Sequence, residues 1–296
     1  MTFENTALLT DQYELTMVAA ALRQPIAHRS CVFEVFARRL PDGRRYGVVA
    51  GTGRVIDELA HFRFGDEEIA IVEKFLDAET VAWLRDYRFS GDIDGYREGE
   101  LYFPGSPILT VRAGFAEGVL LETLILSILN HDSAIASAAA RMVSAAGTRP
   151  IIEMGSRRTH ERAAVASSRA AYIAGVAATS NLEAARRYGV PSAGTAAHAF
   201  TLAFTGPGGP DEKAAFAAQI DALGVGTTLL VDTYDITAGV RNAIEVGGTG
   251  LGAVRIDSGD LGVLARQVRH QLDDLGATET RIVVSGDLDE LSLIHI

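Results

Sequence analysis

The sequence predicts an α/β protein: an irregular parallel α/β barrel preceded by a smaller mixed α+β domain. Two observations carry that expectation. From about residue 119 onward, short apolar segments alternate with helical patterns through six successive units, and such alternation builds a parallel sheet. Polar and charged residues then gather after each apolar segment and are missing before it, which is the polarity of a barrel whose chemistry sits at the C-terminal ends of its strands. The length, 296 residues, accommodates a barrel of roughly 250 residues. The expected boundary places an N-terminal α+β, sandwich-like domain in residues 1–115 and the barrel in residues 116–296.

In the first third, residues 15–22 carry a short helix pattern, and Ser30 to Phe36 alternate as a half-buried strand, with a second strand near Tyr46 to Val49. Residues 66–87 are helical, with acids at the helix starts where the dipole favours them. Residues 89–109, rich in Gly, Pro and aromatic residues, predict short strands and turns. A long helix follows to about Ala145. The apolar segments of the barrel are 150–153, 175–179, 191–195, 228–232, 253–257 and 281–285, with helices over 162–172, 181–188, 211–223, 236–246 and 261–275.

Hydrophobic residues make up 48% of the chain, enough to build a sizeable core. The formal charge is 27 − 38 = −11. Such a chain is a poor non-specific nucleic-acid binder, because that binding neutralises phosphates with Lys and Arg. It can still hold an anionic substrate if its basic groups gather in one cleft. The single cysteine, Cys31, forbids an internal disulfide and fits a reducing compartment. The most apolar run, 119–129, contains Glu122 and is too short to span a bilayer, and the N-terminus lacks a signal-peptide pattern. The expectation is a cytoplasmic protein without nucleic-acid or membrane partners.

The residues after the strands supply the candidate site. Arg255 and Asp257 stand two apart and share a side of one strand. They either pair as a structural ion network, or Arg255 grips a carboxylate or phosphate with its planar fork while Asp257 and Asp260 face ribose hydroxyls or magnesium. His198 follows Gly194-Thr195-Ala196-Ala197 and is a candidate acid, base or nucleophile at a strand end. Arg157 and Arg158 are either an anion clamp or a solvated helix start. Asp232, Ser258 and Ser180, taken singly, fit helix caps. Gly224-Val225-Gly226-Thr227 precedes a strand, so a helix stop and turn is the better reading than a phosphate loop. A Schiff-base aldolase would need a strand-end lysine. Lys213 lies in a helix pattern and Lys74 outside the barrel.

Together these motifs resemble the nicotinate phosphoribosyltransferases. The resemblance rests on residues 8–17 (LLTDQYELTM), 153–160, 194–198 (GTAAH), 231–235 (VDTYD) and 255–261 (RIDSGDL), in the family's order over nearly the whole chain. It implies formation of nicotinate mononucleotide and pyrophosphate from nicotinate and phosphoribosyl pyrophosphate, coupled to ATP hydrolysis with Mg2+. It also implies that ATP phosphorylates His198, that Tyr13, Thr195 and Arg255 bind nicotinate, with Tyr13 stacking on the ring across a homodimer interface, and that Arg157 binds an anion. Asp257 and Asp260 would serve the ribose and metal face. Relatives acting on nicotinamide or quinolinate share the fold and stay open, as does an inactive fragment. Family members continue past this point, and Leu291 to Ile296 depart from the family pattern. The expectation is therefore a barrel left unclosed, with exposed edges.

Overall fold

The computed structural model of the chain describes residues 5–296. The chain folds as two compact units. One runs from the start of the described chain to Val143 and takes in Pro150–Ser192; the other comprises Ser144–Arg149 and Ala193–Ile296. This division differs from the one read at residue 115, which falls at the entry to a short helix, Phe115–Val119.

The first unit contains a three-stranded antiparallel sheet in the order Ser30–Val35, Leu109–Gly114, Asp92–Gly95, and a second antiparallel pair, Gly47–Val48 with Leu101–Tyr102. Its core joins Leu15 and Val18 of the helix Gln12–Leu22 to Leu109 and Val111 of the sheet and to Leu121, Leu124 and Ile125 at the start of the helix Glu122–Ala146. The long helical run expected from Val119 is broken at Leu120 and Leu121, both fully buried. The sequence reading missed the helix Thr52–Leu59. Its N-cap, Gly51, has φ 102°, a left-handed conformation that explains the glycine.

Parallel strands occur in both units. Ile152–Glu153 pairs with Ala178–Thr179 in the first. In the second, Thr228–Leu230, Ala253–Ile256 and Arg281–Val284 form a sheet in chain order, with Leu229 level with Val254 and Val254 level with Ile282. The strand expected over 191–195 is reduced to a single bridge between Thr179 and Ser192, because Pro191 has no N–H to give a ladder. Leu229, Val231, Val254 and Ile256 form the core of the second unit with Val240, Ala243, Val268 and Leu272 of the covering helices Ile236–Gly247 and Leu261–Asp274.

Several helix starts share one device. Asp77, Asn181, Asp211, Asp235 and Asp260 each accept a hydrogen bond from the backbone N–H three residues on, satisfying a donor that the helix leaves open. Ser180, Asp232 and Ser258 are therefore not the caps they resembled; their neighbours take that role. Gly224 ends the helix Glu212–Leu223 at φ 82°, as the helix-stop reading required. The helix Ile236–Gly247 lies hard against the end of the first strand, where a Cβ on Gly239 would overlap the Val231 carbonyl. Leu291–His295 lie in the short helix Glu290–His295. Among the described residues no helix is long and apolar enough to cross a membrane.

Candidate functional site

The three parallel strands of the second unit end within one residue of one another, and the residues that follow them converge. Arg255 points from the middle strand and Asp257 stands just past its end. They form an ion pair, Nη2 to Oδ1 at 2.8 Å. Arg255 is otherwise held from three sides: Nε donates to Ser285 Oγ at 2.7 Å, and Nη1 to Thr195 Oγ1 at 3.3 Å and the Ala196 carbonyl at 3.4 Å. A guanidinium has five N–H donors, and these four bonds leave one on Nη2. With its side chain 14% exposed, Arg255 is a fixed positive charge with, among the described residues, a single donor left over.

Asp257 also accepts a hydrogen bond from the Ser285 hydroxyl. Burial pushes its carboxyl up, but the Ser285 hydroxyl and the Arg255 guanidinium, aided by His198, outweigh it and hold Asp257 below the usual aspartate value.

Asp232 follows the first strand and is the most buried acid of the group, its side chain 1% exposed. Its Oδ2 accepts from the Asp257 N–H at 2.8 Å and from the Ser258 hydroxyl at 2.6 Å. Among the described residues Oδ1 has no hydrogen-bond partner. Facing it is His198, first residue of the short helix His198–Leu202, whose Nε2 lies 3.9 Å from Asp232 Oδ1 and 3.8 Å from Asp257 Oδ2. Those distances are attractive for an imidazolium but too long for hydrogen bonds. On the other side, Nδ1 meets the Thr233 hydroxyl at 3.2 Å. A half-exposed imidazole is thus set between two carboxylates and a hydroxyl, beside a fixed guanidinium.

Of the residues expected from the sequence, the second unit brings together Thr195, His198, Arg255 and Asp257. Asp260 lies outside these contacts: it is exposed, and its Oδ1 caps the helix Leu261–Asp274. Tyr13 and Arg157 belong to the first unit. Tyr13 is 47% exposed; Arg157 is exposed on the single turn Gly155–Arg157. Glu153, just before that turn, accepts from the hydroxyls of Ser168 at 2.6 Å and Thr179 at 2.7 Å and from the Gly155 N–H, so it serves the local fold. The sequence reading gave Thr233 and Ser285 no role of their own, and Asp232 and Ser258, taken singly, fitted helix caps. The available signal was that the true caps, Asp235 and Asp260, follow two or three residues later.

A divalent cation can be tested against this donor set. Among the described residues no three His, Cys, Asp or Glu side chains form a metal-binding group. Magnesium commonly uses one or two carboxylates, with water and substrate phosphates completing the shell. The unpartnered, buried Asp232 Oδ1 and the nearby Asp257 Oδ2 fit that more modest requirement.

The fold places the chain with the phosphoribosyltransferases. It superposes on human nicotinic acid phosphoribosyltransferase with a TM-score of 0.84 at 28% identity, covering 96% of this chain and 69% of that one. It matches nicotinate-nucleotide pyrophosphorylase from Pyrococcus furiosus with a TM-score of 0.81 at 25% identity, covering 100% of this chain and 71% of that one. Residues 8–130 match the nicotinate phosphoribosyltransferase (NAPRTase) N-terminal domain. Nicotinate phosphoribosyltransferase pncB1 of Mycobacterium tuberculosis is 71% identical over 289 residues, 97% of this chain. The Bacillus subtilis nicotinate phosphoribosyltransferase is 36% identical over 302 residues, 99% of this chain. Over nearly its whole length the chain is similar to nicotinate phosphoribosyltransferases. It spans 64% of the length of the mycobacterial relative and 60% of the Bacillus one.

Proposed function

We propose that the chain serves a nicotinate phosphoribosyltransferase, joining nicotinate to the ribose of phosphoribosyl pyrophosphate with release of pyrophosphate, coupled to ATP hydrolysis. The observation that carries this reading is the fixed guanidinium of Arg255 beside the Thr195 hydroxyl and within one cluster with His198. An anionic ring substituent is matched by the remaining Nη2 donor of Arg255, a charge-assisted bond stronger than a neutral one. An uncharged carboxamide would forgo that gain.

His198 is the acceptor of the ATP phosphoryl group in this reading. Its Nδ1 is oriented by Thr233, and Asp232 and Asp257 stabilise positive charge on the ring. Magnesium, held through Asp232 and Asp257, would supply positive charge against the phosphate oxygens. Asp257 and Asp260 are assigned to the ribose side, Tyr13 to stacking on the pyridine ring from a partner copy in a homodimer, and Arg157 to an anionic group. The support for Asp260, Tyr13 and Arg157 is the family motif. A cytoplasmic location accords with the lone Cys31, which is free.

The test assays the chain with phosphoribosyl pyrophosphate and, separately, nicotinate, nicotinamide and quinolinate, with and without ATP and magnesium. The expected result is nicotinate mononucleotide formation stimulated by ATP, with the other two bases poor. In Arg255→Ala the nicotinate requirement should rise far more than that for phosphoribosyl pyrophosphate. Equal use of nicotinamide, or equal loss for both substrates in Arg255→Ala, overturns the reading.

A further inference from the structure

Arg255 and Asp257 are joined by more than their own ion pair. The turn after the strand Arg281–Val284 places Ser285 beside both. Ile256 pairs level with Val284, so the next residue on each strand, Asp257 and Ser285, also stands side by side. The chain then turns sharply, Gly286 at φ 122° and Asp287 at φ 46°. A Cβ on Gly286 would come within 3.1 Å of the Asp257 carbonyl, so this turn is built to lie against the end of the neighbouring strand. Ser285 Oγ accepts from Arg255 Nε at 2.7 Å and donates to Asp257 Oδ1. One hydroxyl therefore uses its acceptor on the cation and its donor on the anion.

We propose that Ser285 is a positioning residue for base recognition: by fixing the Nε edge of Arg255 and the Oδ1 of Asp257, it sets the direction of the one Arg255 donor left for the substrate carboxylate. This rests on the nicotinate reading above. Without Ser285 the guanidinium keeps Asp257, Thr195 and Ala196 but loses the bond that fixes its rotation about the Nε end. A guanidinium free to swing presents its remaining N–H in several directions, and orientation is where binding energy becomes specificity. Serine fits this role because a hydroxyl can accept and donate at once; alanine can do neither, and threonine keeps both.

The experiment compares Ser285→Ala and Ser285→Thr with the unaltered full chain by two readouts. The first is the KM for nicotinate set against the KM for phosphoribosyl pyrophosphate. Loss of a hydrogen bond to a charged group corresponds to about tenfold, so Ser285→Ala should raise the nicotinate KM about tenfold relative to that for phosphoribosyl pyrophosphate, and Ser285→Thr should restore most of it. The second is the NMR signal of the Arg255 Nε–H proton, assigned by its loss in Arg255→Lys. It should be protected from exchange in the unaltered chain and in Ser285→Thr and unprotected in Ser285→Ala. Parallel changes in both KM values, no rescue by threonine, or a protected Nε–H in Ser285→Ala overturns the proposal. An unaltered chain that makes no nicotinate mononucleotide while its Nε–H protection depends on Ser285 indicts the nicotinate reading instead and, with it, the recognition role; the anchoring of Arg255 would then stand as structural alone.

Discussion

His198 Nε2 lies 3.9 Å from Asp232 Oδ1, a buried oxygen that accepts no hydrogen bond among the described residues. The other oxygen of the same carboxylate is doubly bonded, to the Asp257 N–H and the Ser258 hydroxyl. The carboxylate is thus locked by one oxygen and offers the other to the imidazole. Leaving a buried acceptor unpaired costs about 1–3 kcal/mol, and such costs concentrate where a charge or ligand is expected.

Asp232→Asn tests that arrangement with little change of shape. Its carbonyl oxygen can keep the place of Oδ2, because two donors converge there, so the amide NH2 must face His198. The negative charge beside Nε2 disappears while both anchoring bonds survive. On the proposal that His198 accepts the ATP phosphoryl group, labelling of His198 from γ-labelled ATP should fall about tenfold or more, the scale of one lost charge contact, with little change in thermal stability. Unaltered labelling of the asparagine variant would remove Asp232 from the phosphoryl-transfer step.

Glu212 gives a pH dependence. Its Oε2 accepts from Asn242 Nδ2 at 3.0 Å, and its Oε1 is buried without a partner. Burial raises its pKa; the Asn242 bond opposes this and nearby Asp235 adds to it. A folded-state pKa above the unfolded value favours the protonated form in the native state. The stabilisation is complete below the ordinary glutamate value of about 4.3 and is lost as pH rises through the raised value. Glu212→Gln cannot ionise, so its melting temperature relative to the unaltered chain should climb as pH is taken from about 4 to 8, by about 2–4 °C for each kcal/mol involved. A pH-independent difference would show that folding does not shift the Glu212 pKa.

The half-buried pair of Arg169 and Glu98 carries stability in the first unit. Both guanidinium Nη atoms reach the carboxylate, at 2.8 and 2.7 Å, and Glu98 Oε1 also accepts from the Gly51 N–H at 2.7 Å. Arg169 lies over the Tyr188 ring, 5.2 Å from its centroid. Burial of Glu98 works against its ionisation, yet Arg169 holds its pKa below the usual value. Arg169→Met leaves that carboxylate without its cation and should cost about 2 kcal/mol or more, partner removal being far worse than a balanced apolar replacement. Arg169→Lys cannot make the two-pronged contact and should fall between. Urea midpoints for the three proteins give the ranking, and a methionine variant as stable as the arginine protein would show the pair contributes nothing net.

The sequence by itself determined the alternation of strands and helices after residue 119, because apolar periodicity is local and survives without tertiary context. It also marked His198, Arg255 and Asp257, since ionisable groups at strand ends need a reason to be there, and the family motif added Thr195. It could not separate a cap from a site residue. Asp232 and Asp235 are both acids in the loop before one helix, and only the three-dimensional course of the loop gives Asp235 the Ala238 N–H and turns Asp232 toward Asp257 and His198. Ser285 stood among the polar residues after the strands without a role of its own, for the same reason. A serine after a strand is ordinary in sequence, and its meaning comes from the parallel register that sets it beside residues 28 and 30 positions earlier in the chain. Register between strands is a non-local property fixed by packing of the whole sheet, so the tertiary structure alone decided which hydroxyl would hold the arginine.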